Sequence, residues 1–337
     1  MKESISGMDT IILLLLAIIP VILLCVFVFA RDKRKEPIKT VFFTLFLGCL
    51  SVIPVIIVEL LLDQFFPTDE NSLVYFILNR DFISVFVNVL VGIALVEEFF
   101  KWLVIMKTSY FKSVMDEIYD GIVYGTFASL GFALVENILY VISYANQFGL
   151  SYGFEIGLKR GLISIPGHAS FGIMMGFFLG YAKLWKVRRN SGKTSLFMIL
   201  SLVVPILLHT VYDSLLMYNA HVVLFYLFII SLYITCFILV FKISKDDQII
   251  FINRNNNPNY GNYYYNPVYQ QNQNMNQNYN PAYMTNNNLN PNYGNLNYAN
   301  PNYGNPNYGN SPHYCPTCGQ YDDGRGRFCT RCGGVLR

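Results

Sequence analysis

A few ionisable side chains stand where ionisable residues are rare. The string VEEFFKW carries Glu97, Glu98 and Lys101, FALVEN carries Glu136, PGHASFG carries His168, and LHTVYDS carries His209 and Asp213. On a helix, Glu97 and Lys101 are i,i+4 and Glu98 and Lys101 are i,i+3, so the ammonium can pair with either carboxylate. His209 and Asp213 are also i,i+4, a spacing at which a carboxylate orients an imidazole and fixes its tautomer. Hydrolysis is one chemistry open to such a set, and it needs an activated water, a proton donor for the leaving group and donors for the oxyanion. Two adjacent glutamates sharing one lysine can differ in protonation, so one of them is the expected base. His168 and His209 are the expected oxyanion donors or metal ligands. Pro166 and Gly167 are expected to disturb the helix start and aim His168 into a cavity.

The elements that carry these residues are apolar. The chain has 337 residues, 53% hydrophobic and 13% charged, with a mean hydropathy of +0.37. Soluble domains carry about 25% charged residues. A helix crosses the hydrocarbon with roughly 20 apolar residues. Seven such runs are predicted, at about 9–30, 40–62, 82–106, 121–143, 161–182, 196–217 and 222–242. The first is too long for a cleaved signal peptide, and its basic residues follow it, so it reads as a retained span. The expected fold is all-α, a polytopic transmembrane bundle. Glu97, Glu98, Lys101, Glu136 and Asp213 all fall inside spans, at about 2.5–3.5 kcal/mol each near a helix centre. The sum is on the order of 15 kcal/mol, comparable to a domain's whole stability. These groups must therefore pair inside the bundle.

Basic residues set the expected orientation. RDKRKEPIK, Lys107 with Lys112, KLWKVRRNSGK, and Lys242 with Lys245 all fall on one side. The alternate loops hold basic residues only at their far ends, in Arg80, Lys159 and Arg160. By the positive-inside rule the N-terminus is outside and the C-terminus cytoplasmic. Glu136, His168 and His209 then lie roughly 10–12 Å below the outer surface, consistent with one outward-opening pocket. Gly121 with Gly125, and Gly172, Gly176 and Gly180, repeat at four-residue spacing. Such faces let helix backbones approach closely and mark their helices as interior. Asp116, Glu117 and Asp120 flank a helix start, where the helix dipole favours negative charge. His221, in a short outer turn, is given no role.

The last quarter is different. From about residue 253 to 311 the chain is built of Asn, Tyr, Pro and Gly, with near-repeats of NPNYGN. It has almost nothing aliphatic to bury and reads as a disordered linker. CPTCGQ and CTRCGG follow, placing Cys315, Cys318, Cys329 and Cys332 in two CxxC pairs. Four thiolates suit tetrahedral structural zinc. The spacing predicts a small zinc ribbon without an open coordination position, and a candidate docking point for a cytoplasmic protein. Cys25, Cys49 and Cys236 stand alone in apolar runs and read as small hydrophobes. The net charge of +3 gives no reason to expect nucleic acid.

EExxK, then FxxxEN, then a histidine opening the next span, then HxxxD on a later one, all on successive spans over roughly residues 40–220, resemble the PrsW family of peptidases. These are similar in turn to the CAAX prenyl endopeptidase and bacteriocin-processing group. The resemblance implies peptide hydrolysis within or beside the bilayer of a bacterial cell membrane, with regulatory membrane proteins such as anti-sigma factors among the substrates. It implies Glu97, Glu98, Glu136, His168, His209 and Asp213 as active-site positions, with Lys101 beside them. Two mechanisms stay open. In one, Glu136, His168 and His209 hold a catalytic zinc with water in the fourth position, Glu97 or Glu98 is the base, and Asp213 steadies His209. In the other a glutamate activates water directly. A transporter or proton-coupled channel is the alternative from another class, since intramembrane Glu, His and Lys also build ion paths. The expected divisions are 1–39 (first span and basic loop), 40–245 (peptidase bundle), 253–311 (linker) and 312–337 (ribbon).

Overall fold

The computed structural model describes residues 7–63, 65, 81–218, 222–250, 313–314 and 321–322. It divides the chain into two compact units, Met1–Gln270 and Gln271–Arg337.

The first unit is all-helical in the bilayer sense. Among its described residues, seven helices are long and apolar enough to cross a membrane. They are α1 (Gly7–Arg31), α2 (Ile38–Leu62), α3 (Phe82–Tyr110), α4 (Ile118–Phe148), α5 (Leu150–Val187), α6 (Ser191–Tyr218) and α7 (Val222–Lys245). Each coincides with one predicted run. The chain is a multi-pass membrane protein, because a helix satisfies its own backbone hydrogen bonds where no water can.

Helices α4 and α5 form the centre. Their most apolar windows are 72% and 67% buried, against 22–44% for the others. α4 packs on α5, α2 and α1, while α6 closes over α5 and α3. The glycine spacing explains the seam. A Cβ on Gly121 or Gly125 would overlap the carbonyl oxygen of Gly176 or Gly172 across the interface, and the reverse holds for Gly172 and Gly176. A second close approach joins Gly131 of α4 to Leu45 of α2, and Gly48 of α2 to Ala128 of α4.

One stretch departs from the sequence reading. The polar segment after residue 143, expected as a loop, is helical. α4 runs on to Phe148, and α5 starts at Leu150 rather than near 161. Gly149 makes the turn at φ 100°, a backbone conformation that L side chains rarely adopt. Counting apolar residues alone ends a helix where it leaves the apolar layer, whereas backbone hydrogen bonding carries it further.

Three π-turns interrupt the helices, at Leu90–Ala94 and Met106–Tyr110 in α3 and Arg160–Ser164 in α5. Two lie just before polar motifs, where such bulges often mark functional sites. The turn in α5 has a local cause. Pro166 has no N–H for the carbonyl four residues back, and the widened turn absorbs the defect as the Ile165 N–H bonds the Arg160 carbonyl.

In the second unit, His313–Tyr314 and Tyr321–Asp322 pair as short antiparallel strands. The four tail cysteines, the Asn/Tyr-rich linker and His221 lie outside the described residues.

Candidate active site in the bundle core

α3, just past its first π-turn, turns Glu97, Glu98 and Lys101 inward, and all three are buried. Lys101 Nζ donates to Glu97 Oε2 at 2.9 Å and Glu98 Oε1 at 2.8 Å. Its third proton points at Nδ1 of His168 on α5, 3.1 Å away. An ammonium has three donors and no acceptor, so all three are used. His168 Nδ1 must then accept, and its Nε2 lies 2.9 Å from Glu136 Oε2 on α4. Neighbours on α3 and α4 thus fix His168 as a neutral imidazole of one tautomer.

His209 on α6 is held differently. Its Nδ1 lies 2.9 Å from Glu98 Oε1 and its Nε2 3.1 Å from Asp213 Oδ2. Both partners are carboxylates, and both nitrogens can donate at once only in the imidazolium form. The two imidazoles are 5.4 Å apart at 81°. Phe171 stacks on His209 at 4.8 Å, and Phe132 presents its face to Lys101 at 4.2 Å. All the residues singled out in the sequence therefore join one continuous network across α3, α4, α5 and α6. Lys101 and Glu98 have no exposed surface. Breaking such a buried pair leaves an uncompensated charge, so the geometry is strongly constrained.

Two members were not singled out from sequence. Arg160 reads there as the basic edge of an outer loop. Because α5 begins at Leu150, it instead sits inside a helix, its Nη2 2.9 Å from Glu136 Oε2. Its Nε donates to Asn137 Oδ1 at 2.9 Å, and its guanidinium lies 4.0 Å over Tyr140. The other is Glu59 of α2, whose Oε1 is buried without a hydrogen-bond partner. A lone glutamate in the run IVELLL carries the same desolvation signal as Glu136 and was legible in principle.

A metal can be tested against this donor set. Glu97, Glu98 and His168 each offer one ligand atom, all within 4.8 Å of one another. Oxygen and imidazole donors suit zinc, and Glu98 Oε2 is buried with no partner. The set fits a divalent ion in chemistry, although Lys101 Nζ now stands among the same donors. The trio Glu136, His168 and His209 is not among the converging groups. His168 turns its Nε2 to Glu136, while both His209 nitrogens are engaged by Glu98 and Asp213.

No solved structure matches the chain significantly. Curated proteins do. Protease PrsW of Clostridioides difficile is 31% identical over 252 residues, covering 74% of this chain and 95% of the relative. Protease PrsW of Oceanobacillus iheyensis is 35% identical over 199 residues, 59% of this chain and 80% of the relative. That of Bacillus subtilis is 35% identical over 201 residues, with 59% and 80% covered. The family profile described as PrsW family intramembrane metalloprotease matches residues 36–241, which contain every residue of the network described above. The family match runs from just before α2 into α7 and leaves out α1 and the tail, and nothing in these matches favours a transporter. With the polar network buried among its spans, the chain belongs to the PrsW family and is a membrane-embedded peptidase.

Proposed function

We propose that this peptidase cuts membrane protein substrates by water that Glu97 activates, with regulators such as anti-sigma factors as the substrate class. The observation that carries the reading is the Lys101-centred cluster. Glu98 is fully enclosed, and its Oε1 is shared between Lys101 and His209. The Glu97 side chain keeps 7% exposure, and its hydrogen bond here is the one to Lys101. Glu97 is thus better placed to take a proton from water and return it to the leaving amine. His209, as an imidazolium, provides positive potential for the oxyanion beside His168. Glu136, Arg160 and Asp213 hold the two rings in place. A divalent metal such as zinc, when held by Glu97, Glu98 and His168, would supply Lewis acidity.

Co-expression with a single-pass substrate tests the reading. Wild type should cleave it, and Glu97→Gln should insert normally and not cleave. Normal cleavage by Glu97→Gln would end the proposal. Metal content is best measured on the full chain with Cys315, Cys318, Cys329 and Cys332 replaced by serine, since those thiolates are proposed to hold structural zinc of their own. Stoichiometric zinc lost in His168→Ala and Glu97→Gln supports the converging donor set. Loss in Glu136→Gln instead supports the Glu136, His168 and His209 set, and full activity in strong chelator excludes both.

The orientation proposed from the loop charges places the N-terminus outside and the tail in the cytoplasm, where the ribbon could meet a cytoplasmic protein. A single cysteine at Asn146 should then react with an impermeant thiol reagent on intact cells, and one at Asn190 should not.

A further inference from the structure

A second group of carboxylates lies far from the polar network. Asp32 and Glu36 follow α1, Asp116 and Glu117 precede α4, Asp120 is in its first turn, and Asp247 follows α7. Asp120 and Glu136 are both on α4, sixteen residues apart, or about 24 Å at 1.5 Å per residue. Much of this group is ordinary helix capping. Asp120 Oδ2 accepts from the Asp116 and Glu117 N–H groups at 2.7 and 2.6 Å, and Glu117 completes a capping box. Arg34 pairs with Glu117 Oε1, and Tyr124 donates to Glu36 Oε2.

Capping uses only one oxygen of each group. Asp32 Oδ1, Glu117 Oε2 and Asp120 Oδ1 are buried and have no hydrogen-bond partner. Asp32 is 2%, Glu117 5% and Asp120 0% exposed. The same three residues offer ligand atoms within 4.8 Å of one another. Three oxygens no more than 4.8 Å apart lie within about 2.8 Å of a common point, close to the roughly 2.3–2.6 Å of calcium–oxygen bonds. Buried acceptors with nothing to accept from are rare in proteins, and the three residues that carry them come together from two chain segments.

The geometry points to a binding site for a hard divalent cation, calcium or magnesium, formed by Asp32, Glu117 and Asp120. The donors are all oxygen, the preference of those ions rather than of zinc. The site also touches the exit of the tail. Asp247 Oδ1 accepts from the Tyr119 N–H at 3.1 Å, the Ile118 N–H bonds the Gln248 carbonyl at 3.2 Å, and the Ile250 N–H bonds the Asp116 carbonyl at 2.7 Å. An ion here ties the loop after α1 to the start of α4 and so steadies the strip to which residues 247–250 are hydrogen-bonded.

The test uses the full chain in detergent, stripped with chelator and titrated with calcium alone and with magnesium alone. Wild type should bind one ion of at least one kind per chain and melt at a higher temperature with it. Asp32→Asn and Asp120→Asn should weaken binding at least tenfold, while Glu155→Gln, at an exposed carboxylate of α5, should bind as wild type does. Asn at 120 keeps an acceptor for the helix cap; if that variant nevertheless fails to fold, Asp32→Asn decides. Limited proteolysis should slow near residue 250 when the ion is added. No binding by wild type, undiminished binding by Asp32→Asn, or loss in Glu155→Gln would each overturn the site. Binding without protection near residue 250 would overturn the link to the tail.

Discussion

The bundle holds two groups of buried carboxylates, and they are compensated in different ways. In the core, Lys101, Arg160 and His209 stand among Glu97, Glu98, Glu136 and Asp213, with Lys101 and His209 each touching two carboxylates. At the bundle end, Arg34 pairs with Glu117, while Asp32, Glu36, Asp120 and Asp247 make no ion pair among the described residues. The difference follows from the surroundings. Deep in the hydrocarbon neither water nor free ions can answer a charge, so the counter-charges must be part of the chain. At the membrane edge, protons or ions can be drawn from solution. Burial and nearby carboxylates accordingly push Asp32 to about 6 and Glu36 and Asp247 to about 8.

The sharpest way to break the comparison is to remove one member of the core network. Glu98→Gln and His168→Ala should leave the protein inserted and lower cleavage by at least ~100-fold, the scale of losing positioned acid–base groups. Near-normal cleavage by both variants would reduce the core network to a structural ion pair, and the two regions would then differ only in charge balance.

Next in size is removal of the central cation. Lys101→Met leaves Glu97 and Glu98 facing each other with no ammonium between them. Deleting one partner of a buried pair destabilises by about 3–5 kcal/mol, measurable by reversible unfolding in mixed micelles. Stability equal to wild type would show that the core, like the bundle end, can neutralise itself from solution.

A smaller effect is expected at the seam joining the two regions. Gly176→Ala would drive a methyl into the Gly121 carbonyl, and overpacking of this kind costs about 1–3 kcal/mol. Because α4 carries both Asp120 and Glu136, the variant should loosen both regions, read as faster hydrogen exchange at each end of α4. An effect confined to one end would separate the regions mechanically.

The smallest effect is in pH. Asp32, Glu36 and Asp247 hold protons more tightly in the folded state, beside Arg34, Asp116, Glu117, Asp120 and Tyr124. The unfolded chain releases those protons first, so their contribution is fully present below about pH 4 and fades as pH rises towards about 8. In chelator the melting temperature should therefore decline across that window, and Glu36→Gln should flatten the decline. An upward slope instead would mean that the group is held ionised by cations of the chain, as the core is.

The sequence by itself determined the seven spans, the enclosed position of α4 and α5, and the residues of the core network other than Arg160 and Glu59. Apolar runs of spanning length have few alternatives in a bilayer, and ionisable residues within them have to find one another. The four-residue glycine spacing likewise marked a close helix seam, because only a missing Cβ lets backbones touch. Only the tertiary structure decided which partners met. Helical spacing allowed Lys101 either glutamate, and the fold gave it both, together with His168 from a helix 67 residues on. Arg160 entered the site because a helix extended past its apolar stretch around Gly149, which composition does not register. Asp120 read as an interfacial charge favoured by the helix dipole, and Asp32 only as part of the basic string RDKRKEPIK. They became a buried cluster because α1, α4 and α7 end at one place, and long-range contacts of that kind are set by packing in three dimensions.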